Sequence, residues 1–233
     1  MRIYIFYLFI IVTLLSSCQS LYRDGYAKPD LVDDKVSRPT KKLHQKLHFT
    51  ASRGFAIGHQ DATSYGIGWK WEPNQEELRS DVHEMVNDYP AVYGFDIGGI
   101  EHNASCNLDS VPFDLMRQLM IDAHKRGGIV TVSCHADNPV TDDDSWDQTP
   151  AIADILSGGE VSEKYDLWLD RLAGFLKTVR HKDKPIPLIF RPYHEMNGAW
   201  FWWGDPHTTV KDYVTLWKYT VKKLRDEHKL HNL

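Results

Sequence analysis

Three observations predict an α/β fold with a parallel sheet. Short, continuous apolar runs alternate along the chain with longer segments whose apolar residues recur at helical spacing. The short runs carry apolar residues at successive positions, as strands buried on both faces do. Each intervening helix supplies the crossover that parallel strands require, and such crossovers are right-handed.

The elements follow in order. Residues 54–58, Gly-Phe-Ala-Ile-Gly, form the first run. A helix is expected from about residue 75, entered by Pro73 and Asn74, with Leu78, Val82, Met85, Val86 and Tyr89 on one face. Residues 91–97 are the second strand. The second helix starts near Pro112, with Ser110 as cap and proline in the first turn. Its stripe is Phe113, Met116, Met120 and Ala123, and Gly127-Gly128 ends it. Residues 129–133 are the third strand, followed by a polar loop over 137–159. A third helix over 162–181 turns Tyr165, Trp168, Leu169, Leu172, Leu176 and Val179 to one side. Residues 186–190 are the fourth strand. The fourth helix, 209–228, points Val210, Tyr213, Val214, Trp217, Val221 and Leu224 inward.

Four βα units suit either an open doubly wound sheet or half of a (β/α)8 barrel. The first βα turn lacks the GxGxxG of a dinucleotide-binding sheet. Each strand instead ends in polar residues: His59-Gln60-Asp61, Asp96, His135-Ala136-Asp137-Asn138 and His194-Glu195. Barrel sites gather at such strand ends. The expectation is therefore the first half of a TIM barrel.

Ahead of the fold, Arg2 and an apolar run over residues 3–15 form a signal segment too short to span a membrane. Leu15-Ser16-Ser17-Cys18 resembles the lipobox of bacterial lipoproteins. That resemblance implies cleavage after residue 17, acylation of Cys18 and a lipid-anchored place in the bacterial cell envelope. The expected division is residues 1–17 as signal, 18–47 as a polar tether containing Pro29 and Pro39, and 48–233 as the catalytic domain. Cys106 and Cys134 are open to pairing in an exported protein or to remaining free, with Cys134 closing a buried run. A net charge of -5 argues against a nucleic-acid surface. Eight Trp and eleven Tyr suit either an aromatic core or flat platforms for sugar rings.

The run Arg191-Pro192-Tyr193-His194-Glu195-Met196-Asn197-Gly198-Ala199-Trp200-Phe201-Trp202-Trp203-Gly204 concentrates the chemistry. A carboxyl buried among rings at a strand end loses solvation and keeps its proton more tightly. Such an acid can protonate a leaving-group oxygen, which makes Glu195 a candidate general acid. Alternatively, Glu195 is a cap or an ion-pair partner of Arg191 and the tryptophans are core.

This run resembles the acid/base motif of glycoside hydrolase family 26, whose usual members are endo-β-1,4-mannanases. Gly58-His59-Gln60-Asp61, with Tyr65-Gly66 and Gly68-Trp69 following, is similar to the family's first strand end. His135-Ala136-Asp137-Asn138-Pro139 resembles its third. The resemblance covers roughly residue 49 to the last and implies retaining hydrolysis of mannan or galactomannan without a cofactor or metal. It implies that Glu195 is the acid/base and that His135, His194 and Trp200 line the subsite of the cleaved sugar. Trp146, in the loop beyond the third strand, and Asp96 are further expected substrate contacts, and Glu101 is expected on the rim. The family's nucleophile closes its seventh strand. The four units here are thus expected to lack it, to form an inactive fragment and, with two open sheet edges, to self-associate.

Two rivals are weighed against this. A metal-dependent barrel hydrolase would use His59, His135 and His194. A surface glycan-binding lipoprotein would use the aromatic cleft without cleaving.

Overall fold

The structure is a computed structural model that describes residues 31–72 and 78–233. The signal segment, Cys18, the expected tether up to residue 30 and the entry to the first expected helix lie outside the described residues. Asp33–Leu233 form one compact unit.

The chain enters through α1 (Arg38–Ala51), a correction to the tether expected there. The signal was present in the sequence. The Ser37 hydroxyl accepts from the Thr40 amide at 3.2 Å, and Pro39 occupies the first turn. Only Thr40 of this helix is buried. Polar contacts hold the segment instead: Ser37 N donates to His231 O, His231 Nδ1 lies 2.9 Å from Asp33 Oδ2, and Lys46 Nζ donates to Gly127 O.

β1 (Gly58–Gln60) begins where the expected first strand ends. A small antiparallel pair, β2 (Tyr65–Gly66) and β3 (Trp69–Lys70), follows. The expected helix from residue 75 is reduced to α2 (Asp81–Val86), with no buried residue. Asn87 stops it in the left-handed region at φ 55°, leaving Met85 and Val86 exposed. β4 (Val92–Asp96), α3 (Phe113–Lys125) and β5 (Ile129–Ser133) match expectation to within a residue or two. Gly127, at φ 82°, ends the α3 turn, and a Cβ on Gly128 would fall 2.6 Å from the Tyr93 ring.

The long loop carries a short α4 (Ile152–Leu156) before α5 (Glu160–Thr178). A tight hairpin, β6 (Arg180–His181) and β7 (Lys184–Pro185), replaces the expected end of that helix. β8 (Ile189–Arg191) is short because Leu188 N and Ile186 O bond to Asn232 instead. α6 (Val210–Lys222) continues into one π turn (Lys223–Glu227). Its buried row is Leu216, Thr220 and Leu224. Val210, Val214 and Trp217 are exposed, so the inward face sits about one position from the expected stripe.

The main sheet is parallel in the order β1-β4-β5-β8. These strands are neighbours in chain order with no reversal, unlike the switch point of a doubly wound sheet. The core places Tyr93, Phe95, Val130 and Val132 from the strands among Met116, Leu119 and Met120 of α3 and Leu172 and Leu176 of α5. A second cluster lies beside it, with Trp202 and Trp203 fully buried against Tyr165, Trp168 and Tyr193. It anchors the loop after β8.

Candidate active site

Parallel strands end together, so β4, β5 and β8 deliver Asp96, His135 and the loop from Arg191 to one place. Asp96 is buried at 3% exposure. Its Oδ2 accepts from Ser133 Oγ at 2.7 Å and contacts His135 Nδ1 at 2.8 Å. Its Oδ1 accepts from the Gly98 and His135 amides. Burial pushes this carboxyl up, but His135 and these donors outweigh it and hold it below the usual range. Asp96 was expected to touch substrate. Buried beneath His135, it reaches no open surface, so its part is support.

His135 Nε2 lies 3.1 Å from His194 Nε2. Trp146 stacks on the His135 ring at 5.3 Å with planes 12° apart, and Phe201 packs edge-on against the same ring. Desolvation, reinforced by His135, lowers the His194 pKa, which keeps that ring neutral. His194 is pinned from behind by Trp203, whose Nε1 donates to His194 O at 2.8 Å.

Glu195 is exposed, and Trp200 Nε1 donates to its Oε2 at 2.9 Å. The burial expected of this carboxyl is absent, because the chain has turned past the strand end by this point. Tyr193 and Glu195 both adopt positive φ, at 53° and 57°, which non-glycine residues rarely do. A Cβ on Gly198 would lie 2.2 Å from the Trp200 ring, so glycine lets the indole fold back over its own loop. Arg191 donates Nε to Thr131 Oγ1, and no ion pair joins it to Glu195 among the described residues. Trp146 and Trp200, at 49% and 44% exposed, are the rings open to a ligand. Trp202 and Trp203 belong to the core.

Sequence reasoning missed the supports. Buried Tyr193 OH bonds Tyr165 OH at 2.5 Å and Thr220 Oγ1 at 2.7 Å, joining the active loop to α5 and α6. Ser133 and Phe201 were also overlooked. Nothing in a single sequence signals a tyrosine pair formed across 28 residues, and the left-handed turns fall on residues without the glycine that usually marks them.

Among the described residues, the one gathering of potential metal ligands is Glu101, His102 and Asp137, within 4.8 Å of one another. It includes none of His59, His135 and His194. Glu101 is buried rather than on the rim, and its carboxylate accepts from the Gly99 and Asp137 amides at 2.8 and 3.1 Å. His102 Nε2 lies 2.8 Å from Asp137 Oδ2. The group fastens the loop after β4 to the loop after β5. Cys106 and Cys134 are both free thiols.

At the end of β1, Asp61 is fully buried, and burial raises its carboxyl to about 6. A carboxyl raised in the folded state favours folding below its unfolded value of 3.8, and that contribution is lost as pH rises toward 6. Asp61→Asn is therefore expected to stabilise the protein at pH 7.5 by roughly 1–3 kcal/mol, and by much less at pH 4. Urea unfolding at both pH values checks this; an equal change at each would remove the explanation.

These features define a class: an α/β protein whose parallel strands end beside two exposed tryptophans, a carboxylate and two imidazoles. The chain belongs to glycosyl hydrolase family 26, whose model matches residues 32–233. It is 34% identical over 209 residues to a mannan endo-1,4-beta-mannosidase of Bifidobacterium adolescentis, covering 88% of this chain and 20% of that protein. A mannan endo-1,4-beta-mannosidase of Bacillus subtilis strain 168 is 34% identical over 61% of this chain and 40% of its own length. Among solved structures, a family 26 beta-mannanase from Bacteroides ovatus superposes with a TM-score of 0.79 at 40% identity, over 84% of this chain and 56% of that one. The catalytic domain of a Bacillus sp. JAMB-750 endo-beta-1,4-mannanase gives 0.79 at 32% identity, over 91% and 56%. The chain thus spans a fifth of the first relative and somewhat over half of the two solved chains.

Proposed function

We propose that the chain carries the acid/base side of a retaining endo-β-1,4-mannanase site. The observation that carries this reading is Glu195, held on the cleft rim by Trp200 Nε1 beside the Trp146–His135 stack. Trp200 takes one carboxylate oxygen and leaves the other for the proton. The burial that would raise this acid comes from substrate: a mannan chain laid across Trp146 and Trp200 excludes water from Glu195. The proton passes to the glycosidic oxygen as the sugar–oxygen bond breaks, and the same carboxylate then activates water. His135 and His194 line the subsite through their rings, their contacting nitrogens already engaged by Asp96 and by each other. The attacking carboxylate of a retaining pair stands about 5–5.5 Å from the acid, and that role is given to no residue of these four βα units. The names of the relatives support mannan as substrate. The unreversed strand order supports reading the sheet as an arc of a (β/α)8 barrel.

The test is release of reducing ends from β-1,4-mannan, xylan and mixed-linkage glucan by the chain and by the reading frame that contains it. Cleavage of mannan with retained anomeric configuration is expected where the reading frame supplies the attacking carboxylate. Tight binding of mannan with no cleavage by either product would leave a glycan-binding protein instead. Trp146→Ala is expected to raise KM about tenfold, or about 1.4 kcal/mol, with little change in kcat, because stacking holds ground and transition states alike. Initial rates across substrate concentration check this.

Residues 1–17 and Cys18 are proposed as the signal and lipid anchor on the strength of Leu15-Ser16-Ser17-Cys18. The motif supports a bacterial cell-envelope location as part of this reading. Among the described residues no helix is long and apolar enough to cross a membrane.

A further inference from the structure

Asp96, His135 and His194 form a line of hydrogen bonds whose proton positions are determined from one end. An ionised carboxylate only accepts. Asp96 Oδ2 lies 2.8 Å from His135 Nδ1, so that nitrogen carries the hydrogen. In a neutral imidazole the other nitrogen is then a bare lone pair. His135 Nε2 is 3.1 Å from His194 Nε2, so the hydrogen between the rings belongs to His194 Nε2. His194 Nδ1 is left as a bare lone pair, and it is buried with no hydrogen-bond partner. Trp146 and Phe201 enclose His135, and Phe201 and Trp203 enclose His194.

We propose that Asp96 is a positioning residue that sets the tautomer of both histidines through this chain of contacts. Its effect on turnover rests on the reading of His135 and His194 as sugar contacts; the tautomers themselves do not. The geometry makes a sharp demand on the amide variant. Asp96 Oδ1 accepts from two backbone N–H groups, Gly98 at 2.8 Å and His135 at 3.2 Å, so an amide oxygen must take that place. The amide nitrogen then falls at the position of Oδ2, facing Ser133 Oγ and His135 Nδ1. Ser133 can accept from it, since a hydroxyl does both. His135 Nδ1 must also accept, which moves its hydrogen to Nε2, and His194 must then carry its own on Nδ1. One isosteric change at Asp96 thus inverts two tautomers, the second of them two hydrogen bonds away.

The experiment is two-bond 15N–1H NMR of the imidazoles at pH 8, with His135→Gln and His194→Gln used to assign the signals. The unsubstituted chain is expected to show His135 protonated at Nδ1 and His194 at Nε2. Asp96→Asn is expected to show the reverse at both, with turnover on mannan lower by about 10–100-fold, the scale at which the orienting partners of histidines matter. Ser133→Ala removes one donor but keeps the carboxylate, so both tautomers should stay as they are. His135 carrying its hydrogen on Nε2 in the unsubstituted chain would overturn the proposal, whether or not the amide variant folds. So would unchanged tautomers in Asp96→Asn, or inverted tautomers with full turnover. A protein that never cleaves mannan would instead end the mannanase reading and leave the tautomer measurement standing.

Discussion

In a reading frame that supplies the attacking carboxylate, replacing Glu195 with Ala is expected to lower turnover on β-1,4-mannan by about 10²–10⁴-fold, the usual contribution of a positioned acid/base. Binding should change little, because Trp146 and Trp200 remain as platforms. The loss depends on the leaving group. An aryl mannoside whose phenol departs without a proton needs no acid in the first step, so Glu195→Ala should slow that step far less than it slows polymer cleavage. Glu195→Gln should behave like Glu195→Ala on the polymer, because an amide keeps the Trp200 hydrogen bond but has no proton to give. Steady-state rates on mannan and on the aryl substrate check both statements. Equal losses of kcat/KM, which reports the first step alone, would mean that Glu195 shapes the site rather than protonating within it.

The second large effect is structural. Trp203→Ala is expected to cost about 3–5 kcal/mol. Trp203 is fully buried, stacks on Phe201 with ring centres 4.5 Å apart and meets Trp202 edge-on at 5.1 Å. Its removal leaves a large cavity and strips His194 O of its donor. Stability and turnover should therefore fall together, whereas Glu195→Ala should leave stability unchanged. Denaturant unfolding followed by rates well below the midpoint separates the two contributions. Trp203→Phe, which fills most of the volume but lacks the N–H, should recover much of the stability. A drop in stability under 1 kcal/mol for Trp203→Ala would mean that the loop after β8 is anchored elsewhere.

Legibility in the sequence followed the range of the forces involved. β5 and α3 were readable almost to the residue, because continuous apolar runs and a 3.6-residue stripe are local signals that burial on the core rewards directly. α1 was read as tether although Ser37 and Pro39 marked its start, because its inward face, Thr40, Leu43, Leu47 and Thr50, carries only two apolar residues. α2 was read too long, because its apolar positions straddle Asn87, which takes the left-handed region and ends it. In the site, the residue types and their strand-end positions were visible in His135, His194, Glu195 and Trp200. The burial expected of Glu195 was not found, since strand-end position alone does not say which side of a turn a carboxyl takes. Asp96 was placed in the right neighbourhood with the wrong partner, a sugar instead of His135.

The sequence alone therefore determined which segments alternate, which chemistry gathers at the strand ends and which family that pattern resembles. Those properties depend on neighbours within a few residues or on the identity of the side chains themselves. Tertiary structure decided what faces solvent and what lies beneath: the ring that stacks on His135, the tyrosine pair behind the active loop and the proton order running from Asp96 to His194. These contacts join residues 11 to 59 positions apart in the chain. No local rule encodes a register that only the pairing of the strands sets.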